Sequence, residues 1–142
     1  MKKIAIFFTI IIIIVVSIAI LVINYQNKQQ KIKQENEYFE NYLNKEIYGT
    51  ELATLINKTI DINTKNGIQQ DNNKRFISND DNSINIDIKM IDRNKTYPME
   101  VFYNSQIQNF VSHYNIITFK CTKIDYHNTG RVKYLLFEQV TK

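Results

Sequence analysis

The sequence predicts an α+β protein: an N-terminal transmembrane helix and helical stalk, then a small two-layer domain with an antiparallel sheet of about four strands packed on helices. Three observations carry this expectation. Ile4 to Ile23 is an apolar run interrupted only by Thr9 and Ser17, with Lys2 and Lys3 in front of it. Residues 83 to 91, and again stretches between 116 and 140, alternate apolar with polar side chains. Around them, apolar residues recur at three- and four-residue spacings, the period of a helix with one buried face.

The run from Ile4 to Ile23 holds 20 residues. At about 1.5 Å of rise per residue, a helix of that length spans roughly the 30 Å hydrocarbon core of a bilayer. Hydrocarbon leaves a backbone N–H or C=O no partner outside the segment, so the many β-branched Ile and Val residues must still be helical there. A cleaved secretory signal has an apolar stretch of about 7–15 residues ending in a small-residue cleavage site. Here the run is longer and continues into Asn24-Tyr25-Gln26-Asn27-Lys28, so an uncleaved anchor is expected. Lys2, Lys3 and the start amine on one side face Lys28, Lys31 and Lys33 on the other. A very short basic tail before a first hydrophobic segment stays in the cytoplasm, which places the remainder outside. The expected domains are 1–25 as anchor, 26–48 as stalk and 49–142 as the globular part.

The chain has 142 residues, leaving enough beyond the membrane for one small domain with its own core. Its net charge of +4 comes from lysines and arginines spread without a dense run, weak grounds for a nucleic-acid partner. Cys121 is the only cysteine, which excludes an intrachain disulfide and a cysteine-based metal site built from one chain. With Gly 3, Pro 1 and Trp 0, few residues punctuate the chain, and each is informative.

Residues 26 to 48 are polar and free of Gly and Pro, so the membrane helix is expected to run on as a stalk. Tyr38, Phe39, Tyr42 and Leu43 form an apolar stripe on it, suited to packing on the domain or to self-association. Gly49 breaks that pattern. Thr50 is the expected N-cap of a second helix, with Glu51 at its positive end and Leu52, Leu55, Ile56 and Ile60 on one face. Asn66-Gly67 should close it, Gly taking positive φ and Ile68 folding back as the apolar contact. Gln69 to Ser83 reads as loop with a short strand at Phe76-Ile77. In Ser83 to Ile91, Ile84, Ile86, Ile88 and Met90 point one way and Asn85, Asp87 and Lys89 the other. After a turn at Asp92-Arg93-Asn94-Lys95, Tyr97 to Tyr103 is expected to return as a strand showing Met99, Val101 and Tyr103 on one face, with Pro98 at an edge. Ser105 and Gln108 have the form of a capping box ahead of Ile107, Phe110, Val111 and Tyr114. Ile116 to Tyr126 and Arg131 to Val140 are paired strands across a tight turn at His127-Asn128-Thr129-Gly130.

Catalysis needs convergent groups, and the sequence offers few. Cys121 and His127 lie six residues apart on one strand, about 20 Å, too far for a nucleophile and its base. Cys121 shares a face with Ile117 and Phe119, the setting of a structural cysteine. His113 and His127 have no second ligand at metal-binding spacing, Asp80-Asp81-Asn82-Ser83 lacks the pattern of a calcium loop, and no Gly-rich phosphate loop is present. No enzyme activity, cofactor or metal is expected. The candidate binding set is the final hairpin: Lys120, Lys123, Tyr126, His127, Arg131 and Lys133, a basic patch with aromatic edges that would suit DNA or a cell-wall polymer.

Two stretches carry a resemblance: Ile47-Tyr48-Gly49-Thr50-Glu51-Leu52-Ala53-Thr54-Leu55-Ile56-Asn57-Lys58, and Phe119-Lys120-Cys121-Thr122-Lys123-Ile124-Asp125-Tyr126-His127 with Gly130-Arg131-Val132-Lys133-Tyr134 after it. They resemble small, uncharacterised, membrane-anchored proteins of Gram-positive bacteria, a likeness that implies no known activity. The layout is also similar to type IV pilins and pseudopilins. That family has a Gly before its processing point and a Glu shortly after it, and Phe7-Phe8-Thr9-Ile10 has neither. The functional expectation is a non-enzymatic, single-pass membrane protein with an exported interaction or assembly domain, pilin-like or secretion-associated. The alternative is an extracytoplasmic module that binds an anionic polymer through the basic hairpin. The expected partners are the lipid bilayer at residues 4–23, a protein or second copy at the stalk, and that polymer.

Overall fold

Helix α1 (Lys2–Glu40) runs for 39 residues without a break, as the absence of Gly and Pro dictates. The computed structural model describes residues 2–140; Thr141 and Lys142, at the end of the expected domain, lie outside the described residues, as do the side chains of Lys2 and Lys3 on which orientation turns. Within the apolar run the hydroxyl of Ser17 donates to the Ile13 carbonyl at 2.8 Å, so this polar group is satisfied inside its own helix. The helix is long and apolar enough to cross a membrane, by length and composition. The chain divides into two compact units, Met1–Gln34 and Glu35–Lys142. The last turns of α1, from Glu35, thus belong to the second unit.

That second unit is α+β, as expected, but its sheet has five strands rather than four and is mixed rather than antiparallel. Its elements are β1 (Glu46–Tyr48), α2 (Gly49–Lys65), β2 (Asn85–Met90), β3 (Lys95–Pro98), α3 (Met99–Asn104), α4 (Ile107–Tyr114), β4 (Thr118–Tyr126) and β5 (Val132–Gln139). The order across the sheet is β1-β4-β5-β2-β3. Both expected hairpins form, β2 with β3 and β4 with β5. They join through β5 and β2, which run parallel with Leu136 beside Asp87. Alternation predicts which side chains face the core and carries no information on the direction of the neighbouring strand. The fifth strand, β1, comes from the segment expected to be stalk, where Ile47 is buried between exposed Glu46 and Tyr48 and pairs with Phe119 of β4.

Helices cover one face of the sheet. Ile86, Ile88, Phe119, Leu135 and Phe137 from the strands meet Leu52, Leu55 and Ile56 of α2 and Phe110 of α4, all buried. Phe39 at the end of α1 is fully buried in this core, and Tyr42 stacks edge-on with Phe137. Of the apolar stripe of the stalk, Tyr38, Phe39 and Tyr42 therefore pack on the domain, and Leu43 is exposed.

Three local expectations fail. Residues 99 to 103 are helix, not strand: Pro98, with φ −70° and ψ 151°, ends β3 and sits as the N-cap of α3, a conformation its ring favours. Only Met99 of the expected face is buried there; Val101 and Tyr103 are exposed. The capping box also fails, because Gln106, at φ 66°, occupies the N-cap of α4 without a side-chain cap while the Ser105 hydroxyl donates backwards to the Phe102 carbonyl. Likewise α2 begins at Gly49, before Thr50, with Tyr48 as its N-cap. Its far end closes as expected, Gly67 at φ 68° and the Ile68 N–H donating to the Asn63 carbonyl.

The loop after α2 is ordered by side chains. Asn79 Oδ1 accepts from the backbone N–H groups of Asp81, Asn82 and Ser83. Buried Asn63 both donates to the Ile84 carbonyl and accepts from its N–H, holding the entry to β2 against α2. At Phe76-Ile77 the expected strand is reduced to a single bridge between Gln70 and Phe76.

Gly49 is required by contact rather than by turn geometry. A Cβ there would overlap the Tyr114 carbonyl at the end of α4, while the Gly49 N–H donates to Ile117. Gly130, at φ 80°, has open space around it. Gly49→Ala should therefore cost about 3 kcal/mol or more through overpacking, and Gly130→Ala only about 1 kcal/mol through backbone strain. Denaturant titration of the two full-length variants checks the difference, and equal costs would contradict the close approach.

Candidate functional site

On the face of the sheet away from the helices the described side chains are half-buried or exposed, Ser78 of the loop before β2 reaches it to accept from the Asn85 amide at 2.6 Å, and register fixes what it displays. One row across the strands reads Glu46, Lys120, Glu138, Lys89, Thr96. The next reads Lys123, Leu136, Asp87, Pro98, and a third Asp125, Tyr134, Asn85. Opposite charges thus sit on neighbouring strands, where each pair adds a few tenths of a kcal/mol to about 1 kcal/mol. Across strands Lys89 contacts Glu138 at 3.6 Å, and along β4 Lys123 contacts Asp125 at 2.6 Å.

The structure brings some of the six candidate binding residues together and withdraws others. Lys123, Tyr126 and Lys133 line an open depression of about 710 Å³ together with Asp125, Tyr134 and Asn85. Lys120 stands apart, between Glu46 and Glu138. His127 is buried, its Nε2 2.7 Å from the Ser83 carbonyl, so it fastens the β4–β5 turn to the loop ahead of β2. Arg131 is turned away from solvent, 3.0 Å from Glu35 in a pair whose side chains are 13% and 18% exposed. Asn36 completes that attachment: its amide donates to the Gly130 carbonyl and its Oδ1 accepts from the Val132 N–H. Tyr126 donates to Glu40, and burial together with that carboxylate raises its phenol above the ordinary value.

The balance of the face follows. Lys89, Lys120, Lys123 and Lys133 meet Glu46, Asp87, Asp125 and Glu138, four of each sign. Sequence reasoning found the lysines of the last hairpin and passed over its own carboxylates, Asp125 and Glu138; Glu46 from β1 and Asp87 from β2 become their neighbours only through strand pairing. In the depression Tyr134 donates to Asp87 while the ammonium of Lys123 lies 5.6 Å from its ring centroid. Partial burial, and then the Asp87 carboxylate, push its phenol up to about 12, so it remains a neutral donor.

Cys121 is fully buried and far from a catalytic arrangement. Burial pushes its thiol up to about 11, and it points at the Lys123 carbonyl rather than at His127. His113 is exposed on α4, its Nδ1 2.7 Å from the Asn109 carbonyl. Among the described residues no group of three His, Cys, Asp or Glu side chains is placed to hold a metal ion. No protein-family model, curated protein or solved structure matches this chain.

The attachment of the turn to the helix end is measurable. Glu35→Ala and Arg131→Ala should each destabilise the protein by about 2 kcal/mol, since each leaves a mostly buried charge without its partner. The double variant should cost clearly less than the sum in a double-mutant cycle by denaturant titration. Strict additivity would mean the pair contributes nothing.

Proposed function

We propose that this is a non-enzymatic, single-pass membrane protein whose domain lies outside the cytoplasm and serves interaction or assembly. The observation that carries the anchor is the all-round exposure of the apolar run: 16 large apolar side chains between Ile4 and Ile23 are exposed, Leu21 at 68%. At about 1.5 kcal/mol each, moving them from water into lipid is worth on the order of 20 kcal/mol, more than the roughly 5–15 kcal/mol that holds a typical domain folded. No surface of the domain is needed to shelter the run if the bilayer does. Continuation of α1 past Ile23 to Glu40 without a break supports retention of the segment over removal as a leader.

An interaction role is supported by the sheet face: a wide surface, open to solvent, beside buried histidine and cysteine side chains that are engaged in structure. Assembly within a pilus-like or secretion apparatus is the narrower form of the same proposal. Binding of an anionic polymer is the weaker alternative, because His127 and Arg131 are turned inward and the remaining lysines are matched by carboxylates.

Asp80 sits exposed in the loop before β2, whereas Asn79 is half-buried and holds that loop together. Asp80→Cys should therefore react with a membrane-impermeant maleimide on intact cells, with the wild-type chain, whose one thiol is buried, as the control. Protection of Asp80→Cys until lysis would turn the domain inward and overturn the extracytoplasmic placement.

A further inference from the structure

The row Glu46, Lys120, Glu138, Lys89 alternates in sign across β1, β4, β5 and β2. Such a row is complementary to itself. When two copies of a sheet face each other about a two-fold axis parallel to the strands, a strand on one side of the axis meets the strand equally far on the other side. With the axis between β4 and β5, β4 meets β5 of the second copy and β1 meets β2 of the second copy. Glu46 then opposes Lys89 and Lys120 opposes Glu138, each twice by symmetry. An axis lying along β4 or β5 would instead set Lys120 on Lys120 or Glu138 on Glu138, a like-charge contact that costs several kcal/mol. An axis between β5 and β2 would engage only Glu138 with Lys89 and leave Lys120 opposite Thr96 of β3.

We propose that the outer face of the sheet pairs with the same face of a second copy of this chain, about a two-fold axis running along the strands between β4 and β5. This deepens the interaction role and rests on it. The remaining rows agree with that axis. Lys123 falls opposite Leu136, Asp125 opposite Tyr134, and Thr118 opposite Val140, so no like charges are brought together. The end of the face is apolar, Tyr48 being 58% and Val140 43% exposed, and supplies surface that benefits from being covered.

The size of the face sets the strength. Four strands at about 4.8 Å spacing and some six residues at about 3.3 Å rise give on the order of 400 Å² from each copy, below the area of a standard interface. Association in dilute solution is accordingly weak. Copies anchored in one bilayer are held at high effective concentration, which makes up the difference without further contacts.

The test recodes the row. One full-length chain carries Lys89→Glu and Lys120→Glu, making its row acidic; another carries Glu46→Lys and Glu138→Lys, making its row basic. Differently tagged chains are reconstituted in lipid vesicles and association is read by energy transfer between labels, with circular dichroism confirming the fold. The wild-type chain should self-associate, each recoded chain should self-associate about a hundredfold more weakly, and the acidic and basic chains should recover association when mixed. Because each recoded chain has lost its pairs within its own sheet, recovery on mixing reports contacts between copies. The single variants Lys120→Glu and Glu138→Lys serve if a double variant is unfolded, with the same expectation on mixing. Self-association insensitive to recoding would overturn the proposal by placing the contact elsewhere. Wild-type monomers in vesicles would overturn it too while leaving an interaction role with a different partner standing; failure of that role's placement is read separately, by protection of Asp80→Cys.

Discussion

The parallel pairing of β5 with β2 is the joint on which the domain depends. Without it the chain would hold two separate hairpins, and an isolated hairpin is at best marginally stable in water. With it, Ile86 and Ile88 of β2 lie beside Leu135 and Phe137 of β5 in one continuous apolar surface, wide enough for α2 and α4 to cover. The same joint composes the outer face. It sets Lys89 beside Glu138 and Asp87 beside Leu136, so that a lysine and a carboxylate from β2 extend the charge pattern of the last hairpin.

A domain with one buried sheet face and no disulfide must hold its irregular segments by hydrogen bonding. Three polar side chains do this, and two of them are buried. Asn63 pairs with both backbone groups of Ile84, His127 reaches the Ser83 carbonyl, and Asn79 gathers three N–H groups in the loop between. All act within a few residues of the start of β2, so the entry to the central pairing is fixed from α2, from the β4–β5 turn and from its own loop. Glu35 and Asn36 bind that turn from the other side. Histidine and arginine in the turn are thus framework, which removes them from any account based on free positive charge.

Much of this was legible along the chain and little of it across the chain. Ile84 to Met90, the two strands of the last hairpin, the Gly67 closure of α2 and the long α1 all follow from local period and turn chemistry. Pairing partners do not. Glu46 was hidden in a segment whose composition resembles a stalk, because three residues of strand are too few to show a period. Pro98 was compatible with a strand edge and with a helix start, and the helix prevailed where Met99 could be buried. Ser105 and Gln108 match a capping pattern, yet the chain enters α4 through Gln106 at positive φ. Arg131 could be placed near His127 by sequence, whereas its contact with Glu35, 96 residues earlier, depends on the tertiary fold.

The rows on the outer face, and everything inferred from them, require β2 and β5 to be parallel neighbours in the stated register. A pair of cysteines replacing Asp87 and Leu136 tests that most directly. These positions are opposite each other on adjoining strands, within the roughly 4.4–6.8 Å Cα separation that a disulfide needs. Mild oxidation of the folded full-length chain should give an intramolecular disulfide between them, seen by peptide mass, with buried Cys121 left as a thiol. Two free thiols, or disulfides only between chains, would contradict the pairing and with it the charge pattern of the face.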